Sequence, residues 1–245
     1  MLAAIEVQPI DIARLAIALV PVLIVVAILY CWSVDGKTTL VAVARMLIQL
    51  LAVGYVLTFI FESERASAVI AVLAVMLCAA SWIALRPTTV KRRLLYAKAL
   101  GSIALGGIAT LLLVTQAVLQ LEPWFRPDYM IPLAGMIFAT AMNTVSLAAE
   151  RFGSEINRGA GYDEARRAAL RAALIPLVNS LLAVGIVSLP GMMTGQILSG
   201  IPPFVAVRYQ IMVMCMIFGS AGISAACFLV LIKSNVADFK AGATS

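Results

Sequence analysis

The chain of 245 residues contains no histidine. That absence excludes His-ligated zinc or haem, a Ser-His-Asp triad and a histidine proton relay. Its four cysteines, Cys31, Cys78, Cys215 and Cys227, are scattered along the chain. They make no Cys-x-x-Cys pair and no disulfide framework. Charged residues are only 12% of the total, about half the share in a soluble domain. No Gly-rich loop ending in Lys-Ser or Lys-Thr is present, so ATP, if it is used, is hydrolysed on another chain. The chain is expected not to be an enzyme and to bind no cofactor of its own.

What is present is apolar bulk. Residues of the set AVILMFWYC make up 63% of the chain, and the mean hydropathy is +1.04. A soluble protein of this size could not hide so many apolar side chains behind a polar surface. The expected fold is an all-α, polytopic transmembrane bundle forming one domain, residues 1–245. A crossing helix needs about 20 apolar residues, and seven runs qualify: 12–30, 39–61, 66–85, 97–119, 129–149, 172–189 and 205–232. The first is not read as a signal peptide, because Met1 to Asp11 carries Glu6 and Asp11 and no Lys or Arg, and no cleavage pattern follows Tyr30.

The charges orient these spans. Thirteen Lys and Arg fall at one set of ends and two at the other. The positive-inside bias predicts the N-terminus outside and the C-terminus in the cytoplasm. The net charge of +6 is therefore a membrane signal, not a nucleic-acid one. Lys91-Arg92-Arg93 is expected to touch anionic lipid.

The longest basic loop, 150–171, is expected to hold a helix at about 162–174. Gly159 and Gly161 break the chain before it. Asp163 and Glu164 sit in its first turn, where the helix dipole favours anions. Asp163, Arg167 and Arg171 are four apart and share one face. Ala165, Ala168, Ala169 and Ala172 form a small-residue stripe elsewhere on the helix, and Pro176 is expected to bend the chain into the next span. A short helix with a charged face and a flat alanine face suits docking to a soluble partner. The competing reading is a connector lying at the interface, although a membrane-surface helix normally shows larger apolar residues.

A path for a substrate has few polar candidates. No Asp or Glu lies deep in a span, which argues against a carboxylate proton relay or a hard-cation cage. Arg45 lies inside the second span with Gln49 one turn further on, read either as a snorkelling pair or as a cytoplasmic gate. Asn143 and Asn179 are expected to point into the bundle, as glue between helices or as pore lining. Pro190, Gly191, Met192, Met193 and Gln196 belong to a segment expected to be a broken helix near the outer face. Its methionines are gate residues or soft metal ligands. Gly101, Gly106, Gly107, Gly135, Gly219 and Gly222 are expected at tight helix contacts.

The pattern Gly159-Ala160-x-x-x-Glu164-Ala165 followed by Pro176 resembles the cytoplasmic loop of ABC importer permeases, whose coupling helix fits a groove on the ATPase. A closer resemblance is carried by Ala44-Arg45-Met46-Leu47-Ile48-Gln49-Leu50, Ile131-Pro132-Leu133-Ala134-Gly135-Met136-Ile137, Arg171-Ala172-Ala173-Leu174-Ile175-Pro176 and Leu189-Pro190-Gly191-Met192-Met193-Thr194-Gly195. Over residues 37–232 the chain resembles the bacterial FetB (YbbM) permeases, proposed to export iron, and their plant relatives associated with aluminium tolerance. The resemblance implies a homodimeric permease working with an ABC ATPase subunit that carries the ATP and Mg, with a metal ion as substrate. Gly159, Gly161, Asp163, Glu164, Arg167 and Arg171 would then belong to the ATPase-coupling segment. The alternative is an ion-gradient-driven carrier or channel working without an ATPase.

Overall fold

The structure, a computed structural model, describes residues 11–32, 36–62 and 65–241; the leading stretch 1–10 lies outside them. Among the described residues ten α-helices follow one another: α1 Ile12–Ile17, α2 Val20–Cys31, α3 Gly36–Glu62, α4 Ala66–Ala84, α5 Arg92–Leu112, α6 Pro127–Asn157, α7 Tyr162–Ala183, α8 Gly191–Leu198, α9 Pro203–Leu231 and α10 Val236–Ala241. A π-helical turn, Leu113–Val118, extends α5. No strand occurs among the described residues; Val184 and Ser188 make an isolated bridge within a turn.

Among the described residues six helical segments are long and apolar enough to cross a bilayer: Arg14–Cys31, Gly36–Tyr55, Ala66–Ala84, Arg92–Val118, Pro127–Asn157 and Pro203–Lys240. They correspond to six of the seven expected spans. The remaining one, 172–189, is not among them. Its residues 172–183 are the end of α7, and 12 residues rise about 18 Å, well short of a hydrocarbon core. The preceding turns of the same helix carry Arg166, Arg167 and Arg171. After Ala183 the chain turns at Gly185 (φ +82°), whose N–H donates to the carbonyl of Ser188 at 2.9 Å. Pro190 then opens α8. The apolar run therefore spans a helix end, a turn and the approach to a second short helix.

The chain divides into two compact units, Met1–Glu64 and Arg65–Ser245. In the first, α1 stops at Ile17, four residues before Pro21, whose ring excludes a helical carbonyl at that distance. Helix α2 packs on α3, and the Tyr30 ring covers Gly36, where a Cβ would lie 2.9 Å away. Only Val26 and Gly36 are buried among this unit's described side chains.

The second unit has a dense core. Helices α5, α6 and α9 pack on one another, with α4 and α7 laid against α6. Lipid tails are as apolar as leucine, so close approach of backbones holds such helices together. Gly106 provides it on one side of α5, where a Cβ would stand 2.4 Å from Ser224 Oγ and 2.7 Å from the Ser220 carbonyl. Gly107 provides it on another, against Phe138 at 2.8 Å. The expected contact role does not extend to Gly101 and Gly219, which face open space within this chain.

The expected basic loop 150–171 is mostly helix. Helix α6 continues to Asn157 because Phe152 and Ile156 are buried and Arg151 pairs with Glu155 one turn later. A four-residue turn, 158–161, is all that separates α6 from α7. Gly159 (φ +90°) ends α6: its N–H donates to the Ile156 carbonyl, and that of Ala160 to the Glu155 carbonyl at 3.1 Å. These two bonds are a Schellman cap, which needs the left-handed backbone that glycine adopts freely. Helix α7 then runs through Pro176 without a break.

Candidate functional site

Two features stand at opposite ends of α6, about 35 Å apart along its axis. The first is the turn between α6 and α7. Ala165, Ala169 and Ala173 are fully buried and Leu177 nearly so. Of the expected alanine stripe, Ala165 and Ala169 therefore face the bundle, where small side chains let α7 lie close, while Ala168 and Ala172 line the outward groove. Tyr162 fixes the start of the helix. Its hydroxyl donates to the Leu229 carbonyl of α9 at 3.1 Å, and its ring meets Phe152 edge to face at 6.0 Å. Phe152 in turn meets Phe239 of α10 at 5.2 Å, and Arg166 and Lys233 both sit over the Tyr162 ring. The turn that leads into α10 is held by Lys98, whose ammonium donates to Ser234 at 2.6 Å and also to Asn235.

The outward face of α7 carries the charge. Glu164, Arg167 and Arg171 are exposed, and with Arg151, Ala168 and Ile175 they line a groove of about 870 Å³. Asp163 pairs with Arg166 at 3.2 Å, not with Arg167, since i,i+3 and i,i+4 neighbours compete for the same carboxylate. Asp163 and Glu164 occupy the first turn as expected. Gly159 and Gly161 are exposed in the turn. Tyr162, Phe152 and Phe239 were not legible as a site; an aromatic at the first helical position, beside the glycines, was the available signal.

The second feature is a cavity of about 350 Å³ where the start of α6, helix α8 and the start of α9 meet. It is lined by Tyr129, Met136, Met192, Tyr209 and Met212, with Asp128 at its edge. A second space of about 340 Å³ shares Leu119, Tyr129 and Tyr209 with it and adds Gln120, Glu122 and Arg126. The π turn leads into this mouth, where Gln120 takes a left-handed backbone (φ +50°), an uncommon state for a non-glycine residue. Arg126 donates from Nε and Nη2 to Asp128 at 3.2 and 2.6 Å and stacks over Tyr129 at 4.9 Å. The Asp128 hydrogen bond raises the guanidinium's pKa above its ordinary value.

Of the residues expected along a path, Met192 alone lines this cavity. Pro190 caps α8, its carbonyl accepting from the Thr194 N–H at 3.0 Å; Gly191 is the first residue of that helix. Met193 and Gln196 are half-buried on it, and Gln196 Oε1 is a buried acceptor without a hydrogen bond. Arg45 and Gln49 are exposed on α3. Asn143 and Asn179 are also exposed, against the expectation that they point into the bundle. Helix α6 turns Ala141, Thr144 and Val145 inward instead, which places Asn143 on its outer side.

Gly36-Lys37-Thr38 opens α3, but Cys31 stands where a phosphate loop has its first glycine. Among the described residues no group of three or more His, Cys, Asp or Glu side chains could hold a metal ion.

No solved structure matches the chain. Among curated proteins it is 34% identical over 243 residues to the "Probable iron export permease protein FetB" of Escherichia coli, covering 91% of this chain and 92% of that one. It is 33% identical over 226 residues to the "Protein ALUMINUM SENSITIVE 3" of Arabidopsis thaliana, covering 85% and 81%. A "UPF0014 membrane protein" of Synechocystis is 38% identical over 188 residues, covering 71% and 73%. The model of the uncharacterised protein family UPF0014 matches residues 12–236. With its six apolar helices of spanning length, this chain is a multi-pass membrane protein belonging to family UPF0014.

Proposed function

We propose that the chain is the membrane subunit of an ABC transporter that exports a metal ion, energised by a separate ATPase subunit docking on the α6–α7 turn. The observation that carries this reading is the two-faced start of α7. One face is locked to the bundle through Ala165, Ala169 and the Tyr162 hydroxyl, while Glu164, Arg167 and Arg171 stand free to meet another protein. A push on the charged face passes directly to α6 and α9, because Tyr162 touches both. A flexible loop would absorb that motion; a helix fixed at its first residue transmits it. Iron as cargo, and export as direction, come from the name of the Escherichia coli relative. ATP and Mg would reside on the partner.

A second copy of this chain would complete the path. Asn143 lies near the middle of the 31-residue α6 and is exposed on the chain by itself. An amide facing lipid at that depth is costly, so the surface around it suits a partner helix or an aqueous path between two copies. The Lys and Arg asymmetry supports the same orientation as before, with the α6–α7 turn in the cytoplasm.

The test is co-purification of the tagged protein from its host membrane, in the native form and as Arg167→Glu/Arg171→Glu. A stoichiometric ATPase lost from the double variant, with thermal unfolding unchanged, is the expected result. A folded chain that repeatedly emerges alone, and that moves ions in proteoliposomes without ATP, overturns the reading in favour of an ion-gradient-driven carrier. Ala165 is unsuitable for this purpose, because a bulky residue there disrupts the α7 seat itself.

A further inference from the structure

The cavity at the far end of α6 has an unusual donor set. Three methionines, from three different helices, line it: Met136 of α6, Met192 of α8 and Met212 of α9. Met130 and Met216 of the same unit fill the core, each 2% exposed. Met76, Met142, Met193 and Met214 are half-buried but do not line this cavity; the three cavity methionines are half-buried too. They border open space, which is the disposition of a lining and not of a gap-filler.

The remaining polar groups at this site are phenols and one carboxylate. The carboxylate, Asp128, is held by two guanidinium hydrogen bonds from Arg126. Each of its oxygens already accepts from Arg126, which makes it a weaker ligand for a multivalent hard ion. Mg, Ca and similar ions require several oxygen ligands, commonly carboxylates. Neutral thioether sulfurs select soft ions of low charge, Cu(I) above all. A neutral set of donors also imposes little electrostatic hold, as a transport site from which the ion must leave requires. The exposed carboxylate of Glu122 in the adjoining mouth would draw cations toward the sulfurs without binding them there.

We infer that this cavity is a binding site for a soft monovalent metal cation of the Cu(I) class, with Met136, Met192 and Met212 as its ligands. The assignment deepens the metal-export reading and rests on it for the direction in which the ion travels. It also parts from that reading on cargo, since thioethers are poor ligands for iron.

The probe is silver ion, a redox-silent soft cation, titrated calorimetrically into the purified full-length chain in chloride-free detergent buffer. Cys31, Cys78, Cys215 and Cys227 are first changed to serine, because thiols would otherwise dominate silver binding. One saturable site per chain is expected, weakened about tenfold or more by Met192→Leu and removed by the triple variant Met136→Leu/Met192→Leu/Met212→Leu. Leucine conserves volume, and an unchanged unfolding temperature verifies the fold. Silver absorption spectroscopy should then show sulfur neighbours that disappear in the triple variant. Silver binding that survives the triple variant, no saturable site at all, or anaerobic ferrous iron bound at the same methionine-dependent site would each overturn the assignment. Because the chain is measured alone, the two proposals fail separately. A methionine-dependent silver site on a chain that never captures an ATPase removes ATP coupling only; a captured ATPase with no such site removes the soft-cation site only.

Discussion

The two units of this chain have similar composition and opposite interiors. In the apolar window of α6, 50% of the residues are buried within the chain; in that of α3, none are. Leu51, Tyr55 and Ile48 of α3 are all more than half exposed, while Phe152 and Ile137 of α6 are sealed. The difference is not hydrophobicity, since α2 and α3 are apolar too. It lies in the small residues and aromatics placed where helices meet. Gly106, Gly107, Ala134, Ala141, Ala148 and Ala165 let the second unit's backbones approach; in the first unit the Tyr30 ring closes on Gly36. In a bilayer, apolar side chains have no reason to leave lipid; shape complementarity decides which helices associate.

The contrast can be broken most severely at Phe152. Phe152→Ala opens the space between α6, α7 and α10 and is expected to cost about 3–5 kcal/mol, measured by chemical unfolding in detergent. A loss below about 1 kcal/mol would show that the aromatic cluster does not anchor α7. Next comes Gly106→Ala. The added methyl meets Ser224 and Ser220, and about 1–3 kcal/mol of destabilisation is expected, against no change for Gly101→Ala, where there is open space. Equal effects at the two glycines would mean that α5 and α9 are not seated as described.

Tyr162→Phe is a smaller change. It removes the donor to the Leu229 carbonyl while keeping the ring, and should cost about 1 kcal/mol. Transport should fall by more than that loss of folded protein explains if α7 transmits force through this residue. In the first unit, Leu51→Ala should alter the unfolding of the isolated chain by less than about 0.5 kcal/mol, as exposed sites do. The informative readout there is dimerisation in detergent. A weakened dimer would show that a second copy covers α3 and that this unit acquires its interior from a partner.

Six of the expected spans were legible because hydropathy over about 20 residues is a local property. The seventh, 172–189, is not matched by one helix of spanning length and hydropathy among the described residues: it carries Asn179 and Ser180, and only the backbone shows the turn at Gly185 that divides it. The end of α6 was missed in the other direction. Arg151, Glu155 and Arg158 suggest a solvated loop, while Phe152 and Ile156, one turn apart, are an amphipathic stripe that only a neighbouring element can bury. The α7 residues Glu164, Arg167 and Arg171 were identifiable from charge spacing, but the use of the alanine face was not, because small residues serve a seat and a docking surface equally well. Met192 was recognisable as part of a broken helix. Met136 and Met212 were not, since nothing local relates residues 56 and 76 positions apart or nearly so along the chain.

Composition and local periodicity determined that this chain enters a membrane, where most helices begin and end, and which ends carry the basic charge. These follow from single-residue transfer energies and from bonds between near neighbours. Tertiary structure alone decided that α7 is seated by Ala165, Ala169 and Ala173, that both Asp128 oxygens accept from Arg126, and that three methionines from separate helices share one cavity. Those outcomes depend on which helices approach one another, and that is settled by shape across long separations in the chain.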